Sequence, residues 1–186
     1  MANLHALTAL GAREAAVITV GPLTITERFD VALASVAARR GRMADLVKAA
    51  KACGLPLPDP ARHQSAEIYA AFWTAPEMWL VEAPFASHEL IEAMLKAALG
   101  VAASVTEQTD AWVAFDLAAP DLSPLLARLC NVDFPAVPAG HATRTMIEHL
   151  GCYLIKHGAG SARLYGPRSS AKSLLHALEV AAASVW

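Results

Sequence analysis

The chain has 186 residues, with 15 Lys+Arg against 17 Asp+Glu and a formal net charge of −2. Hydrophobic residues make up 55% and charged residues 17%, and the mean hydropathy is +0.38. This composition excludes a disordered chain, because so apolar a sequence can bury ample surface. It also argues against a nucleic-acid binder, which would carry an excess of basic charge. The longest charge-free run, Ala15 to Thr26, is broken by Gly21-Pro22 and is shorter than the roughly 20 residues of a membrane span. The first residues, Met-Ala-Asn-Leu-His, show no basic stretch leading into an apolar one, so a cytoplasmic location is expected. Globular domains average about one quarter charged residues. A chain below that value exposes apolar area, and contiguous exposed patches mark interaction sites. A permanent subunit of a larger assembly is therefore expected.

Residues 1–16 read as an irregular lead-in. Val17 to Arg28 is rich in β-branched residues and reads as one strand, or as two around Gly21-Pro22. Val31 to Arg40 reads as a helix capped by Asp30. A second helix runs from Met43 to Cys53, burying Leu46, Val47 and Ala50. Gly54 closes it, and Pro56, Pro58 and Pro60 prevent its continuation. Glu67 to Trp73 and Met78 to Ala83 flank Thr74-Ala75-Pro76-Glu77 as a β-hairpin. Apolar residues lie on both of its faces, which predicts a sheet covered on both sides. Ser87 is placed to cap a helix striped by Leu90, Ile91, Met94, Leu95 and Ala98, ended by Gly100.

Val101 to Glu107 and Ala111 to Leu117 read as strands around Gln108-Thr109-Asp110. Ser123 caps a short helix with Pro124 at its first position. Residues 131–141 form a loop. Ala142 to Leu150 and Cys152 to His157 read as strands hinged at Gly151, followed by the turn Gly158-Ala159-Gly160 and a strand from Ser161 to Tyr165. Ser169 or Ser170 caps the final helix, striped by Leu174, Leu175, Leu178, Ala182 and Val185.

An internal echo runs at an offset of about 83 residues: Pro84 falls on Pro167, Ser87 on Ser170, Ile91 on Leu174 and Leu95 on Leu178. Each half reads as strand, helix, strand, strand, helix. The class is thus α+β, with two pseudo-repeated units. The division expected is the lead-in 1–16, a first α+β subdomain 17–100 and a second 101–186.

Motifs for chemistry are sparse. Gly158-x-Gly160 lacks the dinucleotide spacing, and no phosphate-binding loop or G-x-S-x-G elbow occurs. His149-x-x-Cys152 followed by His157 loosely resembles metal-ligand spacing. On strands, however, positions 149 and 152 face opposite ways, which argues against a metal. Cys53, Cys130 and Cys152 are too dispersed for a metal or redox motif and read as packed thiols. The polar residues gathered around the 131–141 loop are Arg128, Asn131, Asp133, His141 and Arg144, a candidate contact for a ligand or partner. Arg168 stands at the start of the last helix, where it could help hold an anion.

The stretches LTITERFDVALASVAARRGR (23–42), AAFWTAPEMWLVEAPFASHE (70–89), SVTEQTDAWVAFDL (104–117), LLARLCNVDFPAVPAGHATRTMIEHLGCYL (125–154) and YGPRSSAKSLLHAL (165–178) together resemble the gamma subunit of heterotetrameric sarcosine oxidase. The likeness runs in order along nearly the whole chain, and none of these stretches is a catalytic motif. It implies the folate-binding aminomethyltransferase-like fold of the glycine cleavage T-protein, reduced in size. It also implies a complex that oxidatively demethylates sarcosine to glycine and passes the one-carbon unit to tetrahydrofolate. FAD, FMN, NAD and the folate site belong to the alpha and beta subunits, while the gamma subunit holds no cofactor and no catalytic residue. The resemblance leaves two other readings open: a stand-alone folate-binding aminomethyltransferase-like protein, and a homo-oligomer without larger partners.

Overall fold

The computed structural model describes residues 5–186, so residues 1–4 of the expected lead-in lie outside the described residues. In chain order the elements are β1 (Val17–Val20), β2 (Leu23–Arg28), β3 (Val31–Ala38), α1 (Met43–Ala52), β4 (His63–Ser65), β5 (Ala70–Ala75), β6 (Met78–Pro84), α2 (Phe85–His88), α3 (Ile91–Leu99) and β7 (Ala103–Glu107). They continue with β8 (Trp112–Ala118), α4 (Ser123–Leu129), β9 (Ala142–Ile147), β10 (Leu150–Gly158), β11 (Ser161–Pro167) and α5 (Ala171–Val185). The class is α+β, as the order of elements implies.

These elements form two compact units. An inserted unit comprises Asp30–Thr109 with Gly140–Thr143. A terminal unit takes the described residues up to Phe29 with Asp110–Ala139 and Arg144–Trp186. The units therefore interleave along the chain, whereas the division at 100/101 treats them as consecutive. The strand order explains why. The inserted unit has a sheet ordered β4-β5-β6-β3-β7, and the terminal unit one ordered β1-β2-β8-β11-β10-β9. Set side by side, β3, β4, β5, β6 match β8, β9, β10, β11. Each unit is strand, helix, three strands, helix, one strand more than the sequence pattern suggests. The strand that leads each repeat is exchanged: β2 precedes β3 yet pairs antiparallel with β8, and β7 precedes β8 yet pairs antiparallel with β3.

The repeat carries into backbone detail. Pro84 (φ −62°, ψ 124°) and Pro167 (φ −58°, ψ 127°) end β6 and β11 in one conformation, just before a helix. Each unit packs its helices on one sheet face. In the inserted unit Ala32, Ala34, Val36, Val81 and Val105 meet Leu46, Ile91 and Leu95. In the terminal unit Ile25, Phe115, Leu154 and Leu164 meet Leu125, Leu174 and Leu178. Each fully buried leucine among these contributes about 1.5–3 kcal/mol of transfer free energy. Residues of opposite parity are also buried, among them Leu33, Phe72 and Leu80 in one sheet and Tyr165 and Ile155 in the other. Both sheets thus bury apolar residues on both faces, which for the inserted unit is what the hairpin pattern predicts.

Several local expectations are corrected. Val31–Ala38 is a strand, not a helix capped by Asp30. Alanine favours helix intrinsically, but VALASVAA is hydrogen-bonded along both edges to β6 and β7, and tertiary pairing overrides a weak propensity. Ser87 caps nothing: the expected helix is split into α2 and α3, and the Ser87 hydroxyl donates to Pro84 O (3.3 Å) beside His88 Nδ1 (2.9 Å). Before α4 the cap comes from Asp121, whose carboxylate accepts from Ser123 N at 2.9 Å and is held below the usual carboxylate range by that bond. Ser170 occupies the position before α5 without a side-chain bond. The β9–β10 turn falls at Glu148-His149, with Glu148 at φ +53°, rather than at Gly151. Within α1, Val47 is exposed while Leu46 and Ala50 are buried. The Gly21-Pro22 stretch turns β1 into β2, with Gly21 at φ +55°. A Cβ there would lie 3.0 Å from Trp186 Cβ, so the last residue leans on this turn while staying 42% exposed.

Candidate functional site

The loop from 131 to 141 leaves α4 at Cys130, whose extended backbone ends the helix. Asn131 is exposed, and its side-chain oxygen accepts from Thr145 Oγ1 on β9 (3.3 Å). Asp133 is exposed; its backbone oxygen receives Ala136 N (3.1 Å) and Val137 N (3.2 Å), making a local turn. Arg128 is exposed on the last turn of α4, where a cation complements the helix dipole. Arg144 lies over Gly151 on the facing strand, its guanidinium 3.3 Å from where a Cβ would stand. These four and Arg168 belong to the terminal unit, whereas His141 belongs to the inserted unit and bridges to Arg62. Around it His63 N donates to Gly140 O (2.8 Å) and Ala142 N to Ala61 O (3.0 Å). Arg168 is occupied away from the loop: one guanidinium nitrogen donates to Leu7 O (2.9 Å) and the other lies 3.7 Å from Asp110. The structure joins Asn131 to the strand that carries Arg144. It ties Arg168 to the N-terminal segment and to the Asp110 carboxylate.

Three charged groups that the sequence pattern did not single out organise the terminal unit. Lys156 on β10 is buried. Its Nζ donates to Phe134 O (2.6 Å) and Val137 O (2.8 Å) and sits 4.6 Å from the centre of the buried Phe134 ring. The loop is therefore pinned from within by a cation that satisfies two of its carbonyls. The parity of Lys156 with Cys152 and Leu154, which face the helices, is the signal that marks it. Glu27, also buried, accepts Leu10 N (3.0 Å) and Ala16 N (3.2 Å) and fastens the lead-in. On the other face of the sheet Asp116 receives Arg163 Nε (2.6 Å) and Nη2 (3.0 Å) and Arg28 Nη1 (2.7 Å). Burial pushes the Asp116 carboxyl upward, but the two guanidinium groups outweigh it and hold the group below its usual range. All these partners are protein atoms of the same unit, so the three groups act structurally.

Burial raises the thiol of Cys152 to about 11, keeping it protonated and inert at neutral pH. Cys53 and Cys130 are half-buried. His149 stands exposed in the turn while Cys152 is interior, so the motif containing them is not brought together. Among the described residues, no group of three or more His, Cys, Asp or Glu is placed to hold a metal ion. Among them also, no helix is long and apolar enough to cross a membrane.

The fold has close counterparts among solved structures. One chain of heterotetrameric sarcosine oxidase from Corynebacterium sp. U-96, solved in complex with pyrrole 2-carboxylate, superposes with a TM-score of 0.73 at 20% identity. The match covers 91% of this chain and 88% of that one. The glycine cleavage system aminomethyltransferase T from Bartonella henselae superposes with a TM-score of 0.58 at 13% identity, covering 82% of this chain but 44% of that chain. The likeness is one of fold. It establishes the aminomethyltransferase-like architecture expected from the sequence. No family model matches the sequence, and no curated relative does. The sarcosine oxidase chain is matched over nearly its full length, whereas the present chain spans less than half of the aminomethyltransferase.

Proposed function

We propose that this chain is the non-catalytic gamma subunit of a cytoplasmic sarcosine oxidase complex, bracing the folate-processing part of a large subunit. In this reading the alpha and beta subunits oxidatively demethylate sarcosine to glycine and pass the one-carbon unit to tetrahydrofolate. FAD, FMN, NAD and tetrahydrofolate bind to them. The observation that carries the reading is the two-way coverage of the superposition on a chain of a heterotetrameric sarcosine oxidase, 91% and 88%. The exposed apolar side chains agree with it, Leu90 at 71%, Val101 at 68% and Val17 at 65%, since permanent subunits keep apolar area for their partners. So does the engagement of Glu27, Asp116 and Lys156 within the fold.

The test is co-purification: a tagged copy of this chain, co-expressed with the alpha and beta subunits, is expected to retain both through gel filtration. Elution of the chain alone would refute the reading. The aminomethyltransferase-like fold keeps one rival in play, a stand-alone folate-binding protein. Titration of the isolated chain with tetrahydrofolate separates the two, since a saturable signal favours the rival and its lack favours the subunit.

A further inference from the structure

The charge of this chain is unevenly placed. Residues 39–51 hold five of the 15 basic residues (Arg39, Arg40, Arg42, Lys48, Lys51) and one of the 17 acidic ones (Asp45). That is a net +4 in thirteen residues, against ten basic and sixteen acidic, net −6, in the remainder. The structure puts all five cations in solvent. Arg39, Arg40 and Arg42 occupy the turn from β3 into α1, and Lys48 and Lys51 lie on α1 opposite the buried Leu46 and Ala50. Asp45 pairs with Arg42 at 3.0 Å, both side chains more than half exposed, where such a pair is worth little. Val47, 48% exposed, sits among them. Around α3, the helix packed beside α1, Leu90 just before it, Met94 within it and Val101 just after it are exposed, at 71%, 41% and 68%.

Building on the subunit reading, we propose that the outer face of α1 and its preceding turn is a docking surface for an acidic, apolar-centred patch on a larger protein subunit. Charge complementarity selects an acidic occupant, and the subunit reading places it on a larger partner. A second copy presenting the same face would set five cations against five, which repels. Single-stranded nucleic acid needs bases stacked on aromatic rings, and residues 39–53 contain none. A bilayer needs a broad apolar face on the helix, and α1 offers Val47 alone among exposed large hydrophobic residues. An apolar centre with a charged rim is the usual anatomy of a protein interface. The helix that matches α3, α5, exposes Lys172, Ser173 and His176 together with Val180 at 54%, so Lys172 offers an exposed cation on the matching helix of the other unit.

The experiment measures association of the full-length chain with the assembled large subunits over a range of salt concentrations. Arg39→Glu/Arg40→Glu/Lys48→Glu is compared with wild type and with Lys172→Glu on α5. The triple variant is expected to fold normally, to associate about 100-fold more slowly at low salt and to lose most of the salt dependence, while Lys172→Glu behaves as wild type. Wild-type binding that the triple variant matches in rate and salt dependence overturns the surface assignment and leaves the subunit reading standing. Failure of the wild type to bind overturns both. Preferential binding of the wild type to vesicles of equal phosphatidylcholine and phosphatidylserine, or to single-stranded DNA, overturns the choice of a protein partner. A wild-type dimer in gel filtration that the triple variant abolishes does the same.

Discussion

The inserted and terminal units are built on one plan and use their surfaces differently. Both place a helix after a proline-ended strand, and both bury that helix with leucines at matching positions, Leu95 on α3 and Leu178 on α5. Outside the core they diverge. The terminal unit turns three charged groups inward or onto its own strands, Lys156 into its loop, Glu27 onto its lead-in and Asp116 between two arginines, while Arg128, Asp133 and Lys172 stay scattered and exposed. The inserted unit instead gathers five exposed cations within thirteen residues. Packing of the cores follows from the repeated fold, and the placement of surface charge is what the two units do not share.

The largest effects test the equivalence of the cores. Leu95→Ala and Leu178→Ala should each cost roughly 2–5 kcal/mol in urea unfolding, because both remove a fully buried side chain between helix and sheet. A difference between them beyond that range would mean that the two cores do not bear equal weight. The hairpin turns should differ by about 3.5 kcal/mol. A Cβ on Gly160 would stand 2.1 Å from Ala119 O, so Gly160→Ala is expected to lower stability by about 3 kcal/mol. The matching turn carries Glu77 at φ +58°, and Glu77→Gly should raise stability by about 0.5 kcal/mol.

Lys156→Met should cost about 2 kcal/mol by leaving two loop carbonyls without their charged donor. Amide exchange at residues 134–137 should quicken while α1 and α3 keep their protection. Unchanged exchange there would show that the lysine does not pin the loop. The smallest effect is that of Asp116→Asn, since the cluster is about one-third open to water. Its carboxyl titrates lower in the folded chain than in the unfolded one, so its contribution is present at neutral pH. The contribution fades as acid takes the pH through the depressed folded value. Unfolding measured at neutral and acid pH should therefore show wild type and variant converging in acid. A gap that widens in acid would reverse the assigned sign.

Much of this architecture is legible in the residues. Pro84 and Pro167, with the helical stripes that follow them, mark the repeat, and Gly54 marks the end of α1. β3 is not legible, because a run of alanines carries helix propensity while its strand pairing comes from partners about 50 and about 70 residues away. The exchange of leading strands is hidden for the same reason: β2 and β7 look alike as strands, and nothing local says which sheet each joins. Among the candidate residues, the chemistry of Asn131 and Arg168 was visible but their partners were not. Arg168 reaches Leu7 across 161 positions of sequence. Lys156 is not legible either, because a single lysine in an apolar strand resembles a solvent-facing one until its parity is matched to the helix-covered face.

The subunit account meets its most direct test in sarcosine turnover by the alpha and beta subunits purified with and without this chain. The account predicts that leaving the chain out lowers the yield of assembled complex and its turnover, and that adding the purified chain restores both. Equal assembly and equal turnover in its absence would contradict it.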